Sequence, residues 1–221
     1  MEGSDMLSDQ FPFMKSKVER FSIQSNTTIK KLIEYVERIF CNCPAFPPDV
    51  TREDAITEKL VEHLNLDETS PFYFSPQHNP FKKSGDKPDV GVCISSSRIY
   101  FFHFEAKFIQ TDYVYGDTGG IERFIRERHG VEEDEQGKFR HLKTNGIWGY
   151  VINDSFTNSA KKINAWLSKR CTTDKSLPWS QATHLQNIKY TKRTAKFTST
   201  CVTISGKTVT LYHILFELTP S

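Results

Sequence analysis

No stretch of this chain approaches the roughly 18 consecutive apolar residues that a membrane-crossing helix needs. The opening residues, Met1 to Gln10, are polar and do not read as a secretory leader. An excess of one charge is missing too. Lys and Arg number 29 against 27 Asp and Glu, a formal +2, so bulk charge makes no general claim on polyanions. Cysteine is sparse and odd in number, five in 221 residues without framework spacing, which excludes a disulfide-stapled scaffold and points to a reducing, cytoplasmic setting. Cys41-Asn42-Cys43 is too tight to hold zinc without a second pair, and the sequence offers none. There is no internal repeat, low-complexity block, helix-turn-helix, zinc finger or RNA-binding motif.

What is present is enough chain for one full core, and an uneven charge distribution. From Asn158 to Thr210 there are ten Lys and Arg and one acid, Asp174. Such a basic half could face a phosphate backbone or simply be a solvated lysine surface. The acidic run Glu132-Glu133-Asp134-Glu135 reads as an exposed loop. Periodicity predicts a helix over Ile29, Leu32, Ile33, Val36 and Phe40, and a second from Thr51 to about Leu66. Strands follow near Pro71–Phe74, 88–94, 99–108 and 146–152, with helices near 121–125 and 157–170. Two further strands, near Thr198–Ile204 and Thr208–Leu218, form a terminal hairpin across Ser205-Gly206-Lys207. Residues 1–50 read as an N-terminal extension, with Phe11-Pro12-Phe13 its first apolar patch, and a packing helix; 51–221 read as the main domain.

The organising stretch runs from Lys87-Pro88-Asp89 to Glu105-Ala106-Lys107. Val90, Val92 and Ile94 alternate with Asp89, Gly91 and Cys93; Tyr100, Phe102, Phe104, Ala106 and Phe108 alternate with Phe101, His103, Glu105 and Lys107. Glu105 and Lys107 therefore share one face. With Ser95-Ser96-Ser97-Arg98 as the turn, matching apolar faces sets Ile94 opposite Tyr100, Val92 opposite Phe102 and Val90 opposite Phe104. Asp89 then faces Glu105, and two carboxylates at such range repel unless a proton or cation lies between them. An ion-pair network on a solvated sheet face is the alternative, but the run Ile99 to Phe104 is apolar on both faces, and charge on such a strand is costly unless paired or metal-bound. Hard cations such as Mg2+ or Mn2+ suit this oxygen set.

Upstream, Ile56, Leu60 and Leu64 define the buried stripe of the second helix, and Glu53 projects into it one turn earlier. A carboxylate there needs a partner or else serves the helix dipole; Glu58 is the fallback. Downstream, Gly119-Gly120 opens a helix and could hold a phosphate on backbone N–H groups or merely allow close packing. Arg123 could contact a substrate phosphate or make a surface ion pair. Lys82, Lys83 and Lys87 flank the site.

Pro88-Asp89 followed by Glu105-Ala106-Lys107 resembles the signature of the PD-(D/E)XK nuclease superfamily, and the order of helix, three strands, helix, strand resembles its αβββαβ core. The segments around Gly119-Gly120, Arg123-Phe124 and Gly146 to Val151 also resemble a pattern among bacterial members linked with restriction or phage defence. The resemblance implies an α/β, restriction-endonuclease-like fold with a mixed central sheet flanked by helices, and a Mg2+- or Mn2+-dependent endonuclease acting on DNA or RNA. It implies Asp89, Glu105 and the Ala106 carbonyl as metal ligands, an acidic helix residue (Glu53) for a second ion or metal-bound water, and 5′-phosphate products. Lys107 would orient or deprotonate the attacking water, or stabilise the transition state. Lys87, Arg123, Gly119 and Gly120 would contact substrate. A homodimer, or a protein partner in a defence system, fits the same resemblance. The alternatives are a non-catalytic nucleic-acid-binding module and a subunit of a larger defence complex.

Overall fold

The computed structural model describes residues 25–44, 46, 52–80, 86–95, 99–133 and 136–218; the Phe11-Pro12-Phe13 patch, Lys82, Lys83 and residues 96–98 and 134–135 lie outside them. Two helices come first. In α1 (Asn26–Asn42) the Ser25 hydroxyl accepts the Thr28 N–H at 3.1 Å, closing the helix start. Its stripe Ile29, Leu32, Ile33, Val36 and Phe40 is buried, as the period predicts. In α2 (Glu53–Asn65) the stripe is Ile56, Leu60, Val61 and Leu64. The Asn65 side chain then pins α2 to the first strand, accepting the Phe74 N–H at 3.0 Å and donating to the Phe74 carbonyl at 2.8 Å.

The sheet that follows holds seven strands in the order β1-β2-β3-β6-β9-β8-β7. Its strands are β1 (Phe72–Pro76), β2 (Val90–Ile94), β3 (Tyr100–Phe108), β6 (Thr144–Val151), β7 (Gln186–Tyr190), β8 (Thr194–Val202) and β9 (Thr208–Glu217). The outer pairs are antiparallel, whereas β3 runs parallel to β6 and β6 parallel to β9. Between β3 and β6 the chain passes through the short helix α3 (Gly120–Ile125) and a separate two-stranded ribbon, β4 (Val131–Glu133) with β5 (Phe139–His141). After β6 comes α4 (Phe156–Thr173). The class is thus α/β, with a mixed central sheet between helices. The expected terminal hairpin is β8–β9, and β9 seats it inside the main sheet beside β6.

Alternation along the strands sorts the two faces. One receives α1 and α2, with Phe40, Ile56 and Leu60 packed on Phe102, Phe104, Trp148 and Phe216. The other receives α3 and α4, with Ile121, Phe124, Ile163 and Leu167 on Ile147, Val151, Leu211 and Leu215. Phe102, Phe104 and Trp148 are fully buried, and each such side chain contributes about 2–3 kcal/mol of transfer free energy. Among the described residues no helix is long and apolar enough to cross a membrane.

Two expectations are corrected. Val90 pairs with Phe104 and Val92 with Phe102 as the pattern requires, but Tyr100 lies opposite Cys93, not Ile94. A bulge at Val92/Cys93 inserts one residue on β3 and lets Phe101 bury with the same core as Phe102. The acidic run is not an exposed loop at its start either. Glu132 sits in β4 and is buried, because two imidazoles receive its carboxylate.

Candidate functional site

The site grows from a mismatch in strand length. β3 has nine residues and β2 five, so β3 runs on past Val90, the last residue paired with it through Phe104. Beyond that point the β3 edge facing β2 would present bare amides, which a buried strand cannot leave unpaired. Two carboxylates take the place of the absent strand. Asp89 Oδ2 accepts the Ala106 N–H at 2.8 Å, and Glu53 Oε2 accepts the Phe108 N–H at 2.9 Å. Residues on a strand send N–H and C=O to the same side, so the Ala106 carbonyl leaves on this edge as well. Glu53 arrives from the first turn of α2, whose neighbour Thr57 bonds the Tyr150 hydroxyl at 2.8 Å and fixes the helix against β6.

The side chains of Glu105 and Lys107 point to the face covered by α3. Lys107 Nζ lies 2.8 Å from Glu53 Oε1 and 3.1 Å from Glu105 Oε1, reaching round the open edge to join both acids. Glu105 is completely buried. Arg123 Nη1 lies 2.6 Å from its Oε1, and His129 Nδ1 lies 2.9 Å from its Oε2. The His129 contact is an ion-pair distance without hydrogen-bond alignment, and it leaves Glu105 Oε2 and both His129 nitrogens buried with no hydrogen bond. Next to His129, Arg128 clamps Asp86 through two bonds of 2.9 and 2.6 Å, tying this segment to the chain that leads into Asp89.

The electrostatics follow from burial against partners. For Asp89, burial and then the Glu105 charge outweigh Lys107, and its carboxyl is pushed up to about 8. For Glu105, burial is the largest influence and opposes ionisation, yet His129, Lys107 and Arg123 together overcome it and hold the group at about 2. Burial also raises Glu53, against the pull of Lys107. Burial opposes the Lys107 charge, but Glu105, Asp89 and Glu53 win and raise it, so Lys107 is an ammonium at neutral pH. The two neighbouring carboxyls thus split their ionisation, one proton held near Asp89 and none on Glu105.

Of the residues singled out in the sequence, Asp89, Glu105, Ala106, Lys107 and Glu53 come together in one cluster. Arg123 joins them as an internal partner of Glu105, not as a surface ion pair. Gly119 spends its N–H on the Gly116 carbonyl at 2.9 Å. Gly120 lies against the site, since a Cβ there would come within 3.0 Å of the Tyr113 carbonyl and 3.3 Å of Lys107 Cγ. Gly120 therefore lets α3 pack down onto Glu105 and Lys107, while Gly119 makes room for the Tyr115 backbone. Lys87 is exposed beside Pro88, and Glu58 is exposed on α2 away from these contacts. A cavity of about 200 Å3 opens beside Phe108 and Tyr150, at the carboxyl ends of β3 and β6.

Sequence reasoning missed His129 and Glu132. His103, two residues before Glu105 on the same face, carried the one available signal that this whole face of β3 is polar. Compared with family models, curated proteins and solved structures, the chain matches none.

Proposed function

We propose that the chain is a metal-dependent phosphodiesterase of the PD-(D/E)XK type, a nuclease cutting DNA. The observation that supports this reading most is the split pair Asp89 and Glu105, set beside the Ala106 carbonyl with Lys107 two residues on. The residues fit a hard divalent cation: Glu105 Oε2 is buried without a hydrogen bond, and the donor set is all oxygen. Asp89, Glu105 and the Ala106 carbonyl would hold Mg2+ or Mn2+, and Glu53, tied to the cluster by Lys107, would serve a second ion or a metal-bound water. Such an ion lowers the pKa of bound water and offsets charge on phosphoryl oxygens.

The chain's own residues supply the rest. Lys107, an ammonium beside Glu53 and Glu105, would donate to the developing phosphoryl charge. Glu53 holds that ammonium at 2.8 Å and so fixes its aim. Arg123 fixes Glu105, and exposed Lys87 would meet the backbone of a polyanion. The order α2, β1, β2, β3, α3, β6, with the β4–β5 ribbon between the last two, supports this reading; DNA as substrate and a place in restriction or phage defence rest on the sequence resemblance.

A second reading, a nucleic-acid-binding module without catalysis, draws on the ion pairs that already surround Glu105, to Arg123, Lys107 and His129. One experiment separates the two. Purified protein is incubated with plasmid, linear and single-stranded DNA and with RNA, in Mg2+, Mn2+ or EDTA. Metal-dependent cutting that Lys107→Met abolishes upholds the nuclease; retention of DNA in a shift assay with no cutting under any metal overturns it and selects the binding module.

A further inference from the structure

A second buried cluster lies further back on the same face of β3. We propose that His78, His103 and Glu132 form a site for a borderline transition-metal ion of the Zn2+ class, separate from the Asp89 cluster. Three elements bring them together: the turn after β1, the middle of β3 and the β4 ribbon. His103 Nε2 lies 2.5 Å and His78 Nε2 2.9 Å from the same oxygen, Glu132 Oε1, and the three donor atoms fall within 4.8 Å of one another. Two imidazoles and a carboxylate are a zinc-class set, with bonds of about 2.0–2.2 Å and donors therefore about 3.3 Å apart. Displacements of about 1 Å convert the hydrogen-bonded cluster into that geometry.

Charge is the stronger argument. Glu105 meets Lys107 and Arg123 as well as His129, whereas the ion pairs of Glu132 among the described residues are both to imidazoles. Imidazoles offset the charge of a buried carboxylate only when protonated, and a buried carboxylate without a fixed counter-charge is costly. A dication supplies what is missing. The surroundings are also shaped for the two rings. Gly91 faces His103 directly across β2 and β3, and a Cβ at that position would come within 2.5–2.7 Å of the His78 ring. His78 stacks on Tyr100 with ring centroids 3.6 Å apart. Tyr100 in turn lines a surface cleft of about 510 Å3 with Tyr73, Cys93 and Ser95, an access route for a solvated ion.

One contact must change on binding. The Gly130 N–H donates to His103 Nδ1 at 3.2 Å, so the ring proton sits on Nε2, aimed at Glu132. An ion on Nε2 moves that proton to Nδ1, and the Gly130 amide must turn away. Gly130 holds φ +75°, a conformation glycine leaves and enters freely.

The test uses the full chain, stripped with chelator and titrated with Zn2+ and with Co2+. With Mg2+ in excess throughout to occupy the Asp89 cluster, the expected result is one equivalent bound, a tetrahedral Co2+ absorption band, and a shift of the Gly130 amide resonance. His78→Gln, on a part-exposed turn, keeps a hydrogen bond to Glu132 but weakens binding by about 100-fold or more. His103→Gln does the same if it folds. Asp89→Asn leaves Zn2+ binding unchanged. The proposal is overturned if the wild type takes up no stoichiometric ion, if His78→Gln binds as the wild type does, or if Asp89→Asn is the change that removes binding. None of these outcomes depends on nuclease activity.

Discussion

Two carboxylates, Glu105 fully buried and Glu132 largely so, meet the same face of the sheet, yet they are compensated by different chemistry. Glu105 sits among fixed charges, an ammonium at 3.1 Å and a guanidinium at 2.6 Å. Glu132 sits among imidazoles, which carry charge only when protonated. Both acids are held near 2, against the burial that opposes them in each case, Glu105 chiefly by His129 and Lys107 with Arg123, Glu132 by His103 and His78. The same acidity thus arises by two routes. Around Glu105 an imidazole is backed by two fixed cations, which keep that oxygen-lined environment charged at any ordinary pH. Imidazoles give one that answers to protons and to softer ions.

The sharpest break of this comparison is Lys107→Ala. It should lower cleavage by at least about 100-fold, and it leaves Glu53 and Glu105 short of a partner. Removing one member of a buried pair costs about 3–5 kcal/mol, so the variant's urea midpoint should fall as well. Lys107→Met, which keeps the stem, separates chemistry from packing: cleavage is lost while the midpoint recovers in part. Activity surviving in both variants would remove Lys107 from the reaction.

Gly91→Ala is the complementary cut. Its Cβ displaces the His78 ring, so Zn2+ uptake should drop by about 10-fold or more while metal-dependent cleavage stays within about twofold. Equal loss of both in side-by-side titration and cleavage assays would mean that the two clusters act as one.

The third test concerns an imidazole with no acid beside it. His213 is fully buried between the Tyr113 hydroxyl and Ser199, each at 2.8 Å, and burial pushes its pKa down to about 3. The unfolded chain takes up that proton near its ordinary value of about 6.5, so between about 6.5 and 3 the unfolded state binds more protons and stability falls as pH falls. Denaturant melts at pH 7.5 and 4.5 should show a loss of a few kcal/mol, on the order of 2–3, that His213→Gln reduces. An unchanged pH slope in that variant would assign acid sensitivity elsewhere.

The smallest effect belongs to Gly120→Ala. Its Cβ would press on the Tyr113 carbonyl and Lys107 Cγ, costing about 1–2 kcal/mol by thermal melt and lowering cleavage only modestly. A stabilised or more active variant would show that α3 does not bear on Lys107.

The parts of this arrangement that a sequence could show are those carried by period. Alternation placed Glu105 and Lys107 on one face and the aromatics on the other, and the helical stripe turned Glu53 inward. The bulge at Val92/Cys93 was hidden, because a single inserted residue leaves the apolar pattern readable on either side of it. The three-residue strands β4 and β5 are too short for any period to register, so Glu132 read as part of a solvated acidic run. His129 was invisible for another reason. Its bearing on Glu105 comes from the fold of the segment after α3, where His129 N–H turns back to the Arg123 carbonyl at 3.2 Å. Arg123 and His129 grip one carboxylate through tertiary structure alone.

The overhang of β3 carries a consequence for the protein in solution. Asp89 and Glu53 act there as stoppers on an open strand, covering the Ala106 and Phe108 amides that would otherwise offer a docking rail to a foreign peptide. Alanine in place of both acids would uncover that rail, and the first symptom should be turbidity and self-association at high concentration, appearing before any assay of catalysis could be read.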